Sequence, residues 1–244
     1  MQIKNSVVII TGAAVRVGRE IALALAGKGA HIAFTYLAED EPWQQTRSEI
    51  EALGVTCLAE QLEVRNSVQV RAFIEKVYNH FGRIDVLINN ASIWLKAPLL
   101  QISEADWDLS LDVNLKGVFL CSQAVAPIML KQNSGVILNM TDLSAFQVWC
   151  GYAHHAASKA GLVSLTKSLA AELAPTVRVN AIAPGTVLLP PNAPPEKVDW
   201  AVENSLLKRV GSPQDVAQLS IFLIENDFAT GAVYFIDGGR SLVS

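Results

Sequence analysis

At 244 residues, with 51% hydrophobic and 17% charged residues and a net charge of −4, the chain can bury a large core and is expected to form a single domain over 1–244. The weakly acidic balance excludes a phosphate-neutralising basic face, so no nucleic-acid partner is expected. The apolar run before Thr11 is too short for a secretory core or a membrane span. Cys57, Cys121 and Cys150 lie scattered in apolar stretches without histidine at metal-ligand spacing. They read as core residues of a reduced, cytoplasmic protein with no membrane partner and no metal.

Short β-branched runs then alternate with helical stretches. VVIITG is followed by a predicted helix over 17–28, HIAFTY by one over 41–53, VTCLAE by one over 67–81, and IDVLINN by a long one over 104–131. GVILNM precedes a helix over 152–173, VRVNAIAP one over 213–224, and AVYFID comes last. Continuous apolar runs are strands buried on both faces, and crossover helices make them parallel. The fold class is therefore α/β, a Rossmann-type doubly wound parallel sheet with helices on both faces. The proline cluster LPPNAPPE (Leu189 to Glu196) is expected to form no regular element. It follows a strand's C-terminal end, where such sheets place ligands, which marks 186–208 as a substrate lid.

In TGAAVRVG, Gly12 allows a tight turn, Gly18 allows close helix packing, and the amides from Val17 onward open a helix towards a pyrophosphate. This stretch, INNAS (88–92), Asn114 in DVNLKG, Lys159 and APG (183–185) resemble the short-chain dehydrogenase/reductase superfamily in order and spacing over essentially the whole chain. Arg16 at the middle glycine of that pattern, Asp142 in NMTDLSAF and Trp94 in SIWLK are similar to the pteridine reductases within it. The resemblance implies NADPH as cofactor, with Arg16 on the 2′-phosphate and Glu63 beside the adenine. Asn90, Ala91 and Ser92 would follow the dinucleotide, and Pro184 and Gly185 would lie at its nicotinamide end. Tyr36 stands where NAD-preferring relatives carry an acid. A guanidinium fork also suits a phosphate better than a hydroxyl on general grounds, while Glu39 and Asp40 would oppose one if turned inward. The lesser alternative for Arg16 is a solvent-facing residue at a helix start.

His155 and Lys159 are four residues apart and Tyr152 is three before His155, which places all three on one helical face with His154 pointing away. The resemblance implies that Lys159 grips the nicotinamide ribose and that His155 occupies the position of a catalytic tyrosine. Ketone reduction builds charge on oxygen and needs a placed acid. Lys159 opposes a charged imidazole there and Asp142 favours one, so a more basic C=N bond is the better-matched acceptor. The resulting expectation is a pteridine reductase-like enzyme with a pterin or related small-molecule substrate. Asp142 and His155 would deliver the proton, the backbone at Asn114 would position a water, and Trp94, Ser92 and Asp142 would line the substrate. A carbonyl reductase of the same superfamily and a non-catalytic NADP(H)-binding protein are the alternatives. Alone, Asp142 is a turn residue and Trp94 a core or oligomer contact. The resemblance further implies a homotetramer built on the helices containing 111–126 and 152–173.

Overall fold

In the computed structural model, which describes residues 1–190 and 192–243, the first strand β1 (Val7–Ile10) is wholly buried. Its alternate residues face opposite ways, as the pleat requires. Val8 and Ile10 pack into one core with Leu25, Phe34 and Leu223, whereas Val7 and Ile9 pack into the other with Phe73, Leu87 and Val125. A strand used on both faces has no polar side, which is why the sequence shows none.

Around β1 run β2 (His31–Tyr36), β3 (Cys57–Gln61), β4 (Val86–Asn89), β5 (Gly135–Met140), β6 (Val177–Pro184) and β7 (Val233–Ile236). They form one seven-stranded sheet in the order β3-β2-β1-β4-β5-β6-β7, every pairing parallel. The chain reverses its direction of travel across the sheet between β1 and β4. A crevice opens there beyond the strands' carboxyl ends, the place such sheets reserve for ligands.

The crossover helices are α1 (Arg16–Gly27), α2 (Trp43–Glu51), α3 (Ser67–Phe81), α4 (Glu104–Leu111), α5 (Gly117–Lys131), α6 (Ala153–Leu173), α7 (Pro195–Glu203) and α8 (Pro213–Glu225). Local chemistry sets several ends. The Asn66 side chain accepts from the Val68 and Gln69 amides at the start of α3, and Gly82, at φ 73°, closes it. Ser212 and Asp215 form a reciprocal capping box on α8, with Pro213 at its first position.

One expectation needs refinement and two need correction. The stretch 104–131 is one continuous helix as expected, but α4 and α5 within it are joined by a wider π turn, Asp112–Lys116. It turns Asn114 inward to bond the backbone at Ile93, and Gly117 packs so close to Val64 that a Cβ would stand 2.9 Å from its Cγ2. The proline cluster 189–196 is not devoid of regular structure, because Pro195 occupies the first position of α7, where its missing N–H costs nothing; Pro191 lies outside the described residues. Cys57 and Cys121 are buried, but Cys150 is exposed in the loop before α6, so apolar sequence neighbours did not make it a core residue.

Candidate active site

The nucleotide end is built by close backbone approach. Gly12, at φ 63°, lies so near Ala91 that a Cβ would stand 3.0 Å from its Cα, and a Cβ on Gly18 would stand 2.5 Å from Asn90 Nδ2. Asn90 Nδ2 donates to the carbonyls of Thr11 (2.9 Å) and Gly12 (2.8 Å), while the Thr11 hydroxyl accepts from the Asn90 and Ala91 amides. The end of β4 is thereby tied to the turn after β1. Helix α1 begins with no side-chain cap and no acidic residue in its first turn, leaving its first amides and positive dipole end available to an anion. That uncapped start, beside a turn a Cβ would fill, fits a dinucleotide pyrophosphate.

Arg16 is exposed and held at φ 58°, a left-handed conformation that an L side chain adopts at a cost on the order of 1 kcal/mol. Other predicted residues are occupied elsewhere. Tyr36 is buried and stacks on Trp43 at 4.9 Å, with Glu39 at its hydroxyl. Glu41, rather than Asp40, closes this turn by accepting from the Leu37 and Ala38 amides. Glu63 forms an ion pair with Arg65 at 2.8 Å, which holds its carboxyl below the usual range against the effect of burial. Tyr36, Glu63 and Ala91, like Gly12 and Gly18, lie outside the cleft wall, with Tyr36 stacked on Trp43 and Glu63 paired with Arg65.

The cleft has a volume of about 720 Å³, within the range of small-molecule sites. Arg16, Val17, Asn90, Ser92, Trp94, Asp142, Lys159, Pro184 and Gly185 all line it. Lys159 is buried and donates from Nζ to the Met140 carbonyl at 2.8 Å. Burial pushes its pKa down, and Asp142 opposes that shift.

His155 Nε2 lies 2.7 Å from Asp142 Oδ2, and Nδ1 lies 3.1 Å from the Ile93 carbonyl oxygen. Burial alone would raise the Asp142 pKa, but the hydrogen bond from His155 and the charge of Lys159 bring it to about 2. The other Asp142 oxygen accepts from the Ser144 amide at 2.8 Å, so the residue caps a turn while facing the cleft. The imidazole itself does not line the cleft. Its side chain is 1% exposed against 14% for Asp142, and the Trp94 ring lies 4.9 Å away.

Tyr152 is the N-cap of α6, its carbonyl accepting from the Ala156 amide at 2.8 Å; its ring lies 6.5 Å from that of His155, and it lines the cleft with Lys159. The Asn114 side chain ties the loop after β4 to α6. Oδ1 accepts from Ser92 Oγ (3.0 Å) and Ile93 N (2.9 Å), while Nδ2 donates to Ile93 O (3.2 Å) and Ser158 Oγ (3.1 Å). Ser92 is thus part of this strut as well as of the cleft wall. The segment 186–208 contributes Thr186 to Leu189, Lys197 and Trp200 to the cleft wall, and sequence reasoning missed Met140, Thr141 and Arg240. The position of Arg240 just beyond the last strand was the one available signal.

A parallel sheet with this order, a glycine-tight turn into an uncapped helix, and a buried lysine beside a carboxylate define a dinucleotide-dependent oxidoreductase architecture. A family model described as enoyl-(acyl carrier protein) reductase matches residues 12–241. The chain is 40% identical over 247 residues to the 3-oxoacyl-[acyl-carrier-protein] reductase of Thermotoga maritima, covering 98% of this chain and 99% of that one. It is 38% identical over 240 residues to the corresponding reductase of Staphylococcus epidermidis, covering 96% and 98%. A short-chain dehydrogenase/reductase from Serratia marcescens superposes with a TM-score of 0.93 at 30% identity, covering 99% of this chain and 100% of that one. The chain belongs to the short-chain dehydrogenase/reductase superfamily, whose members are oxidoreductases using a nicotinamide cofactor.

Proposed function

We propose that the protein is an NADPH-dependent carbonyl reductase in which the Asp142–His155 pair stands in for a catalytic tyrosine. The observation that carries this reading is the 2.7 Å contact between the two, with only the carboxylate on the cleft wall. The similarity to 3-oxoacyl reductases supports a carbonyl acceptor over the C=N bond that the catalytic residues suggested by themselves.

Gly12, Gly18 and the start of α1 would hold the pyrophosphate, Arg16 the 2′-phosphate and Lys159 the nicotinamide ribose. When bound, the reduced nicotinamide supplies the hydride. The chain supplies the proton. His155 Nδ1 faces the Ile93 carbonyl, leaving Nε2 as the exchangeable position, shared with Asp142. As negative charge grows on the substrate oxygen, the proton there passes to Asp142 and on to the oxygen, and His155 keeps its Nδ1–H.

A dihydropterin is the second reading, favoured by Trp94, whose ring is 54% exposed on the cleft wall and could stack on a flat heterocycle. With either acceptor the proposal includes a homotetramer built on the helices containing 111–126 and 152–173, supported by the exposed Phe119 on α5, in the cytoplasm. The test is NADPH oxidation with a 3-oxoacyl thioester, a diketone, dihydrobiopterin and dihydrofolate in parallel. Carbonyl turnover is expected. Turnover of pterins alone would install the second reading, and binding of NADPH without turnover would indicate a non-catalytic binder.

A further inference from the structure

Arg240 follows the last strand, and its main chain is fixed by Asp237, whose carboxylate accepts from the Gly239 (2.9 Å) and Ser241 (2.7 Å) amides. Its guanidinium carbon lies 4.6 Å from the Trp200 ring centre and 5.3 Å from that of Trp149, and Nη1 donates to Thr186 Oγ1 at 2.8 Å. Two aromatic faces and one hydroxyl thus immobilise a half-buried cation on the cleft wall. No carboxylate forms an ion pair with it among the described residues, and its Nη2 and Nε donors have no protein acceptor there. Burial lowers its pKa, with Asp237 acting against that shift, and an unpaired, partly desolvated cation is a costly thing for a fold to keep. Lys197, one helical turn before Trp200 on α7, lines the same cleft and is also without an ion-pair partner among the described residues.

We propose that Arg240, assisted by Lys197, is a specificity site for an anionic group carried by the substrate, a carboxylate or a phosphate, on the wall formed by α7 and the C-terminal turn. The carbonyl oxygen would meet Asp142 on the wall formed by β5 and α6. The planar fork offers two free donors to one anion, a bidentate geometry that a neutral ester or amide does not reward. The cavity holds both ends at once, so the anion would also fix which way round the acceptor lies.

The kinetic arm of the test rests on the carbonyl reductase reading. It uses two matched pairs: acetoacetate against ethyl acetoacetate, and acetoacetyl-coenzyme A against its phosphate-free N-acetylcysteamine thioester. The first pair reports a carboxylate and the second a phosphate. For at least one pair the wild type should prefer the anionic member. In Arg240→Met the ratio of kcat/KM, anionic over neutral, should fall about 10- to 100-fold, mostly through KM, as loss of a charge-assisted hydrogen bond predicts. Arg240→Lys should recover part of it. A binding arm titrates malonate and inorganic phosphate into NADP⁺-saturated protein and follows the fluorescence of Trp149 and Trp200. Saturable quenching in the wild type that is lost in Arg240→Met is expected. No anion preference in either pair, or a preference unchanged in Arg240→Met, overturns the proposal. If no acceptor is turned over, the carbonyl reading fails instead, and the titration alone decides whether Arg240 holds an anion.

Discussion

His155 Nε2 and Asp142 Oδ2 are 2.7 Å apart, yet only Asp142 reaches the cleft; the imidazole is walled off behind it and under Trp94. On the proposed reading the residue in contact with substrate is the carboxylate, and the histidine acts through it. Asp142→Asn should reduce kcat by about 10²- to 10⁴-fold, the usual scale of general acid catalysis. His155→Phe should cost less. In that variant the burial of Asp142 is no longer offset by the imidazole, so its carboxyl rises from about 2 and residual turnover grows towards acid pH. Steady-state kinetics of both variants from pH 5 to 8 check this, and the opposite order of damage would remove Asp142 as the delivering group.

The same depression makes Asp142 a contributor to acid stability. Its folded pKa, about 2, lies below the ordinary 3.8, so the unfolded state binds the proton more readily. The stabilisation is fully present above about pH 4 and is lost as pH falls towards 2. A shift of this size corresponds to roughly 2 kcal/mol. Acid unfolding followed by circular dichroism should show a smaller loss of stability between pH 4 and pH 2 in Asp142→Asn than in the wild type.

How much of this was legible follows from where each feature's cause lies. Strands such as Val7–Ile10 and Gly135–Met140 are visible because burial on both faces leaves an unbroken apolar run. Helix α3 is visible because Asn66 and Gly82 mark its ends locally. The π turn at Asp112–Lys116 is invisible because the apolar pattern continues through it, and its cause is the distant backbone at Ile93 that Asn114 bonds. Helix α7 is masked by prolines that break helices in their interior but start them at the first position. Asp142 and His155 could be singled out by resemblance, but nothing local says that the ring lies behind the carboxylate. The cage of Arg240 is built from Trp149, Trp200 and Thr186, three separate stretches of chain, and no window contains it.

Gly18 tests the nucleotide cradle without touching the catalytic cluster. A Cβ there would meet Asn90 Nδ2 at 2.5 Å and the Gly12 carbonyl oxygen at 2.7 Å, and Asn90 cannot retreat without giving up its bonds to Thr11 and Gly12. Gly18→Ala should lower stability by about 1–3 kcal/mol and weaken NADPH binding more than tenfold. Thermal unfolding with and without NADPH measures both, and a variant with an unchanged cofactor-induced shift in Tm would contradict the placement of the cradle.

Arg16 offers the clearest separation of function from stability. Its left-handed backbone, φ 58°, is one that glycine adopts freely, so Arg16→Gly should leave the fold as stable or raise it by up to about 1 kcal/mol. Its guanidinium has no ion-pair partner among the described residues, so the charge is available to a 2′-phosphate. Glu41 has meanwhile taken the Leu37 and Ala38 amides that could have shared the load. Losing a charge-assisted contact to phosphate is expected to raise KM for NADPH about 10- to 100-fold, while KM for NADH, which lacks that phosphate, changes by less than about threefold. Parallel cofactor kinetics on wild type and Arg16→Gly, with a thermal melt of each, make the comparison. Equal losses for the two cofactors would mean that Arg16 shapes the turn and does not read the phosphate.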